Sequence, residues 1–154
     1  MNRKFNRAII KATKETFEAV IGLPIKNATP VDGKINGTNL DTSAIIEVAG
    51  KLNGTIALRC SKEVGAQLAS NMMGIDIHPG SENMKDAIGE LLNMIIGAST
   101  SYMRIFDTEC RLSAPTIVIG DDTALDMKEI QAAELSHIPF SYEGNELCMD
   151  VMLN

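Results

Sequence analysis

Residues 86–115 read DAIGELLNMIIGASTSYMRIFDTECRLSAP, and this stretch decides the architecture. On a wheel of about 100° per residue, Met84, Ile88, Leu91, Leu92, Ile95, Ala98, Ser99, Tyr102 and Phe106 fall on one side. Asp86, Glu90, Asn93, Gly97, Ser101 and Arg104 fall on the other. The apolar stripe predicts a long helix running from an N-cap at Ser81, with Glu82 in its first turn, to about Asp107. Its outward face carries a carboxylate and a carboxamide three residues apart, neighbours able to touch one incoming molecule. Gly97 lies one turn beyond Asn93 on that face, where a missing side chain admits a close approach.

Working outward, residues 2–21 predict a helix with Phe5, Ile9, Ala12, Thr16, Ala19 and Val20 at helical spacing, ended by Gly22 and Pro24. Residues 25–42 are rich in Gly, Pro, Asn and Asp, with strand-like fragments. Residues 44–49 and 55–60 read as two β runs joined by the turn Gly50-Lys51-Leu52-Asn53-Gly54, a hairpin. Ser61 is a good N-cap for a helix reaching about Met73, followed by a loop over 74–80. Beyond the long helix, 110–119 reads as a strand interrupted at Pro115, which implies an edge or a bend. Residues 121–127 read as a turn, and 128–141 and 145–153 as strands joined at Tyr142-Glu143-Gly144-Asn145. This order predicts an α+β fold of two layers, a mostly antiparallel sheet packed against long helices. A length of 154 residues fits one domain over 1–154 with a substantial core.

Composition excludes several classes. A net charge of −6 argues against phosphate-backbone binding. Absence of Trp and only 4% aromatics leave few stacking platforms for single strands. No nucleic-acid partner is expected. The N-terminus begins basic but turns amphipathic, with no apolar core of a signal peptide, and no run approaches a membrane span. Cys60, Cys110 and Cys148 are scattered and odd in number, which fits reduced thiols in a cytoplasmic protein. Asn36-Gly37-Thr38 and Asn53-Gly54-Thr55 match the glycosylation pattern, but without a secretion signal they read as turns.

Other chemistry is thinly represented. His78 and His137 have no partner at ligand spacing, so no metal site is expected. Asp121 and Asp122 follow Gly120 in a turn. Of Met72, Met73, Met84, Met94 and Met103, most suit the core, while Met94 flanks the polar face and could touch a partner. There is no phosphate-binding glycine loop and no Ser-His-Asp or Cys-His set. On residues alone, Asp86, Glu90 and Asn93 also suit a merely solvated helix face. Two details weigh against that: Asn is a poor interior helix residue, and Gly97 costs about 1 kcal/mol relative to Ala.

Asp86, Glu90, Asn93 and Pro115 resemble the signature of the CheC/CheX/FliY family of chemotaxis phosphatases. That signature has Asp or Ser, three residues, Glu, two residues, Asn, and Pro twenty-two positions on. AIGELLNMIIG (87–97), NMMG (71–74) and APTIVIG (114–120) are similar to its single-site, CheX-type branch, as are the length and segment order. Glu15 and Glu18 in the first helix lack an Asn partner, so one site per protomer is expected. The resemblance implies a CheC/CheX-like fold and a phosphatase acting on the aspartyl phosphate of a CheY-type response regulator. It further implies that Asn93 positions the attacking water and that Glu90 anchors the regulator's active-site Lys. Asp86, Gly97 and Met94 would contact the regulator, and Pro115 would shape the strand entry without a catalytic part. Mg²⁺ would belong to the regulator, leaving this chain no cofactor of its own, and the protein would be a cytoplasmic homodimer. A non-catalytic regulator-binding or flagellar-switch adaptor is the alternative, and a structural dimerisation domain a weaker third.

Overall fold

Two antiparallel hairpins make the middle of the sheet. The computed structural model describes residues 3–27, 29–32, 40–120 and 134–153, so the turn expected at 121–127, with Asp121 and Asp122, lies outside the described residues. Strand β3 (Thr42–Gly50) pairs with β4 (Gly54–Cys60) from Thr42↔Cys60 to Val48↔Gly54. Asn53 closes that turn, accepting from the Gly50 N–H at 3.3 Å and donating to its carbonyl at 3.0 Å. Strand β7 (Glu134–Tyr142) pairs with β8 (Asn145–Leu153) across Glu143 and Gly144, at φ 47° and 78°. Two successive positive φ values give the primed turn whose twist suits a hairpin, and glycine takes the second at no steric cost. Pairing of β8 with β4 joins the hairpins. Short β1 (Lys26–Asn27) and β2 (Val31–Asp32) both lie on β7. At the other end, β5 (Cys110–Leu112) and β6 (Thr116–Ile119) both lie on β3, all antiparallel.

The outer strand bends where Pro115 predicted it. Leu112 faces Val48 and Thr116 faces Ile45, so the three residues 113–115 stand opposite only Ile46 and Glu47. This is a β-bulge of one residue. Ser113 repairs the ladder there: its N–H donates to the Glu47 carbonyl at 2.9 Å, and its Oγ accepts from the Glu47 N–H at 2.8 Å. Pro115 fits the bulge because it has no N–H to lose.

Helices α1 (Arg3–Thr16), α2 (Lys62–Met73) and α3 (Glu82–Ser99) share one core with the sheet, and a short α4 (Ile105–Thr108) leads into β5. Ile9, Leu68, Ile88, Leu91 and Leu92 meet Ile46, Ile56, Leu58, Met149 and Val151 in that core. Both predicted caps hold. Ser61 Oγ accepts from the Val64 N–H at 3.1 Å and Ser81 Oγ from the Met84 N–H at 3.2 Å, satisfying donors that the first turn leaves open.

Two helical expectations need correction. The first helix continues past Thr16 as a π-helical turn, Phe17–Ile21. The extra residue per turn shifts the inward stripe, so Phe17 and Ile21 are buried while Ala19 is exposed. Phe17 then meets the ring of buried Tyr142 edge-on, with centroids 5.9 Å apart. The long helix also stops at Ser99 rather than near Asp107. Ser99 and Thr100 hydroxyls donate to the carbonyls of Ile96 and Gly97 at 2.6 and 2.7 Å, a local alternative to continued helix. Tyr102 therefore leaves the buried stripe, donates to Glu15, and carries the Lys11 ammonium 4.5 Å above its ring. The side chain of Phe106 lies outside what is described.

Strand alternation turns Arg59, His137 and Asp150 away from the helices, yet all three are buried. Asp150 Oδ1 meets His137 Nδ1 at 2.6 Å and its Oδ2 meets Arg59 Nη1 at 3.4 Å. Arg59 Nε also donates to Ser43 Oγ at 3.2 Å. Removing one partner strands a buried charge, so Arg59→Met should cost about 3–5 kcal/mol in urea denaturation. Adding Asp150→Leu to Arg59→Met should restore part of that loss.

Candidate functional site

The site begins with how α3 is held. Met84, Ile88, Leu91, Leu92 and Ile95 are fully buried, which fixes the rotation of the helix about its axis. On its α2 flank, a Cβ added to Gly65 would lie 3.1 Å from Met84 Sδ, so glycine permits that close crossing. On its β6 flank, Gly89 is buried, and a Cβ there would lie 3.3 Å from Pro115 Cγ and 3.4 Å from Ile117 Cδ1.

With that rotation set, Asp86, Glu90, Asn93, Met94 and Gly97 all emerge on the exposed side. The structure thus brings every predicted site residue onto one face of one rigid element. Met94 is 38% exposed, an uncovered thioether beside the polar pair. Among the described residues, the side chains of Asp86, Glu90 and Asn93 make no hydrogen bond or ion pair within the chain. One turn earlier, Glu82 and Lys85 do pair, at 3.2 Å. Gly97 is open: an added Cβ would meet nothing within 4 Å. Internal packing therefore does not require a glycine there. Arg104 and Ser101 are exposed as expected, but the turn after Ser99 takes them off the helix.

All five residues lie exposed at the surface. An open groove of about 500 Å³ runs along α2, lined by residues including Glu63, Gln67, Asn71 and Asp76, and none of the five site residues lines it. A paired carboxylate and carboxamide without an enclosing pocket can contribute hydrogen bonds and one charge to a centre completed by another molecule.

Other chemical groups lie elsewhere. Burial, helped by nearby Asp41, pushes the Cys60 thiol up to about 12. Burial, then Asp150, raises Cys148 as well. Neither is a thiolate nucleophile at neutral pH. Sequence spacing missed one cluster: His137, Cys148 and Asp150 bring ligand atoms within 4.8 Å of one another. Cross-strand register creates it, through His137↔Asp150 and Pro139↔Cys148. Both Asp150 oxygens are already engaged by His137 and Arg59.

Comparison with known proteins identifies the family. Residues 42–141 match the family described as chemotaxis phosphatase CheX. The CheY-P phosphatase CheX of Thermotoga maritima is 26% identical over 125 residues, covering 79% of each chain. A CheC-like superfamily protein from Shewanella sp. PV-4 superposes with a TM-score of 0.83 at 18% identity, covering 100% of this chain and 99% of that one. The CheX–CheY–BeF₃–Mg²⁺ complex from Borrelia burgdorferi matches with a TM-score of 0.77 at 18% identity, covering 96% of each chain. The α+β fold, with its antiparallel sheet and three helices, matches that of the CheC-like structures. More closely, the chain belongs to the CheX family of chemotaxis phosphatases. No helix among the described residues is long and apolar enough to cross a membrane.

The buried thiols give a direct check. Under native conditions a thiol reagent should label one cysteine, half-buried Cys110, and all three after unfolding. A raised thiol pKa means the folded state holds its proton longer. The stability it contributes is complete below the ordinary thiol pKa and lost as pH climbs from there towards about 12.

Proposed function

We propose that this chain hydrolyses the aspartyl phosphate of a CheY-type response regulator, with Asn93 holding the attacking water and Glu90 anchoring the regulator's active-site Lys. One observation carries this reading: Glu90 and Asn93 stand side by side on a rigid helix, exposed and with side chains that bond to none of the described residues, beside bare Gly97. An acyl phosphate is already activated, so acceleration comes mainly from positioning and electrostatics. The Asn carboxamide offers both an acceptor and donors, enough to orient a water in line with phosphorus without becoming a covalent intermediate. A Glu–Lys contact is charge-assisted, which sets register and keeps a cation beside the phosphate. Asp86, one turn before Glu90, rims the docking face, and Met94 supplies adaptable apolar contact.

In this reading the CheX-like domain spans 1–154 and works in the cytoplasm as a homodimer whose sheets pair across protomers. Mg²⁺ is held by the regulator. The Borrelia complex, which contains CheY, BeF₃ and Mg²⁺, supports that assignment.

Decay of a ³²P-labelled CheY-type regulator tests the roles. Wild type should speed decay, and Asn93→Ala should lower the rate by about 100-fold or more. Glu90→Ala should chiefly raise KM, by roughly tenfold or more, as expected for loss of a charge-assisted contact. Full activity in Asn93→Ala would overturn the assignment, and unchanged decay with retained binding would leave an adaptor. Gly97→Ala offers a second test, because it should separate stability from activity. The methyl should stabilise the exposed helix by up to about 1 kcal/mol in thermal melts. Regulator affinity should fall in the same variant, because the added methyl meets the docked partner.

A further inference from the structure

We infer that the seam between Gly89 and Pro115 sets the height of α3 above the sheet edge and thereby aims Glu90 and Asn93, making both Gly89 and Pro115 positioning residues. This rests on the proposed roles of Glu90 and Asn93.

The seam is built from three observations. First, the one-residue bulge at 113–115 sits directly before β6, and Ser113 pins it to Glu47 through both its backbone N–H and its Oγ. The outer strand is therefore anchored where Pro115 leaves it. Second, Pro115 shares the strand face of Ile117 and Ile119, which pack on the core, so its ring turns towards α3. Third, Gly89 is the buried helix residue that receives it, and a carbon fits there only if the ring or the helix gives by a few tenths of an ångström: an added Cβ would stand 3.3 Å from the ring Cγ, 3.4 Å from Ile117 Cδ1 and 3.6 Å from the ring Cβ.

Gly89 immediately precedes Glu90 and lies one turn before Asn93. A spacer at this seam would tilt or lift α3 as a body, because its opposite flank is already closed against α2 at the Gly65–Met84 crossing. Side chains on the outer face would then move relative to a partner docked on the same surface. Positioning catalysis can lose about 100-fold for a misplacement of about 1 Å, so a shift of a few tenths of an ångström costs less, on the order of severalfold.

The experiment is a graded series: Gly89→Ala, Gly89→Val, Pro115→Ala and the double variant Gly89→Ala/Pro115→Ala. Each is assayed for kcat and KM against the phosphorylated regulator. Asn93→Ala serves as the reference, and NMR amide shifts of residues 90–97 are recorded. Gly89→Ala should lower kcat severalfold and Gly89→Val by up to about 100-fold, with KM rising in the same order because Glu90 moves with the helix. The amide shifts should move in proportion. The double variant should recover most of the loss in Gly89→Ala, because deleting the ring removes the 3.3 Å contact and leaves the added Cβ 3.4 Å from Ile117 Cδ1 and 3.6 Å from the remaining Cβ, both ordinary contacts.

A purely structural seam would lower melting temperature without a graded fall in kcat and without rescue. Wild-type kcat in the folded Gly89→Ala and Gly89→Val proteins, with Asn93→Ala inactive, would overturn the inference. If Asn93→Ala were instead fully active, the catalytic reading itself would fall. The seam would then be judged on the NMR shifts, and unmoved shifts in Gly89→Val would reject it too.

Discussion

Everything about this site depends on one constraint, the complete burial of the apolar stripe of α3. Five side chains from Met84 to Ile95 have no surface left to expose, so the helix cannot roll without pulling them from the core. At roughly 1.5–3 kcal/mol for each fully buried large aliphatic side chain, the stripe holds the rotation far more firmly than any surface contact could. The polar face is not held in place by bonds of its own. It is held by what happens on the far side of the same helix. That arrangement leaves Glu90 and Asn93 free of internal partners and still well directed.

Much of this was legible in the sequence because it is written in local periodicity. The stripe of α3, the caps at Ser61 and Ser81, both hairpin turns and the bend at Pro115 follow from spacing, hydroxyl caps, positive-φ residues and a missing N–H. Asp86, Glu90, Asn93, Met94 and Gly97 share an exposed face for the same reason, since a helix face is a local property. What escaped detection lies in tertiary register. The π-helical turn has no sequence marker, and only the need to bring Phe17 against Tyr142 rationalises it. The early stop at Ser99 depends on two hydroxyls choosing carbonyls over solvent, a choice the apolar pattern through Tyr102 obscured.

The buried cluster of Arg59, His137 and Asp150 illustrates the same limit. Its members are 91 and 13 residues apart, and only the pairing of β4 with β8 and of β8 with β7 makes them neighbours. Gly89 and Pro115 are likewise remote in sequence until the bulged strand folds back along α3. The spacing motif contains Pro115, but its contact with a glycine outside the motif is visible only in three dimensions.

The bulge that carries Pro115 also bears on self-association. Among the described residues, β6 has a neighbour on one edge only, so its outer backbone groups are open to another strand. An unbroken edge over 110–119 would be a template for indefinite ladder growth. The kink divides it into three and four residues, and proline withholds a donor at the break. A visiting strand can therefore register along Thr116–Ile119 and go no further. The edge admits a short, finite partnership and resists fibrous stacking.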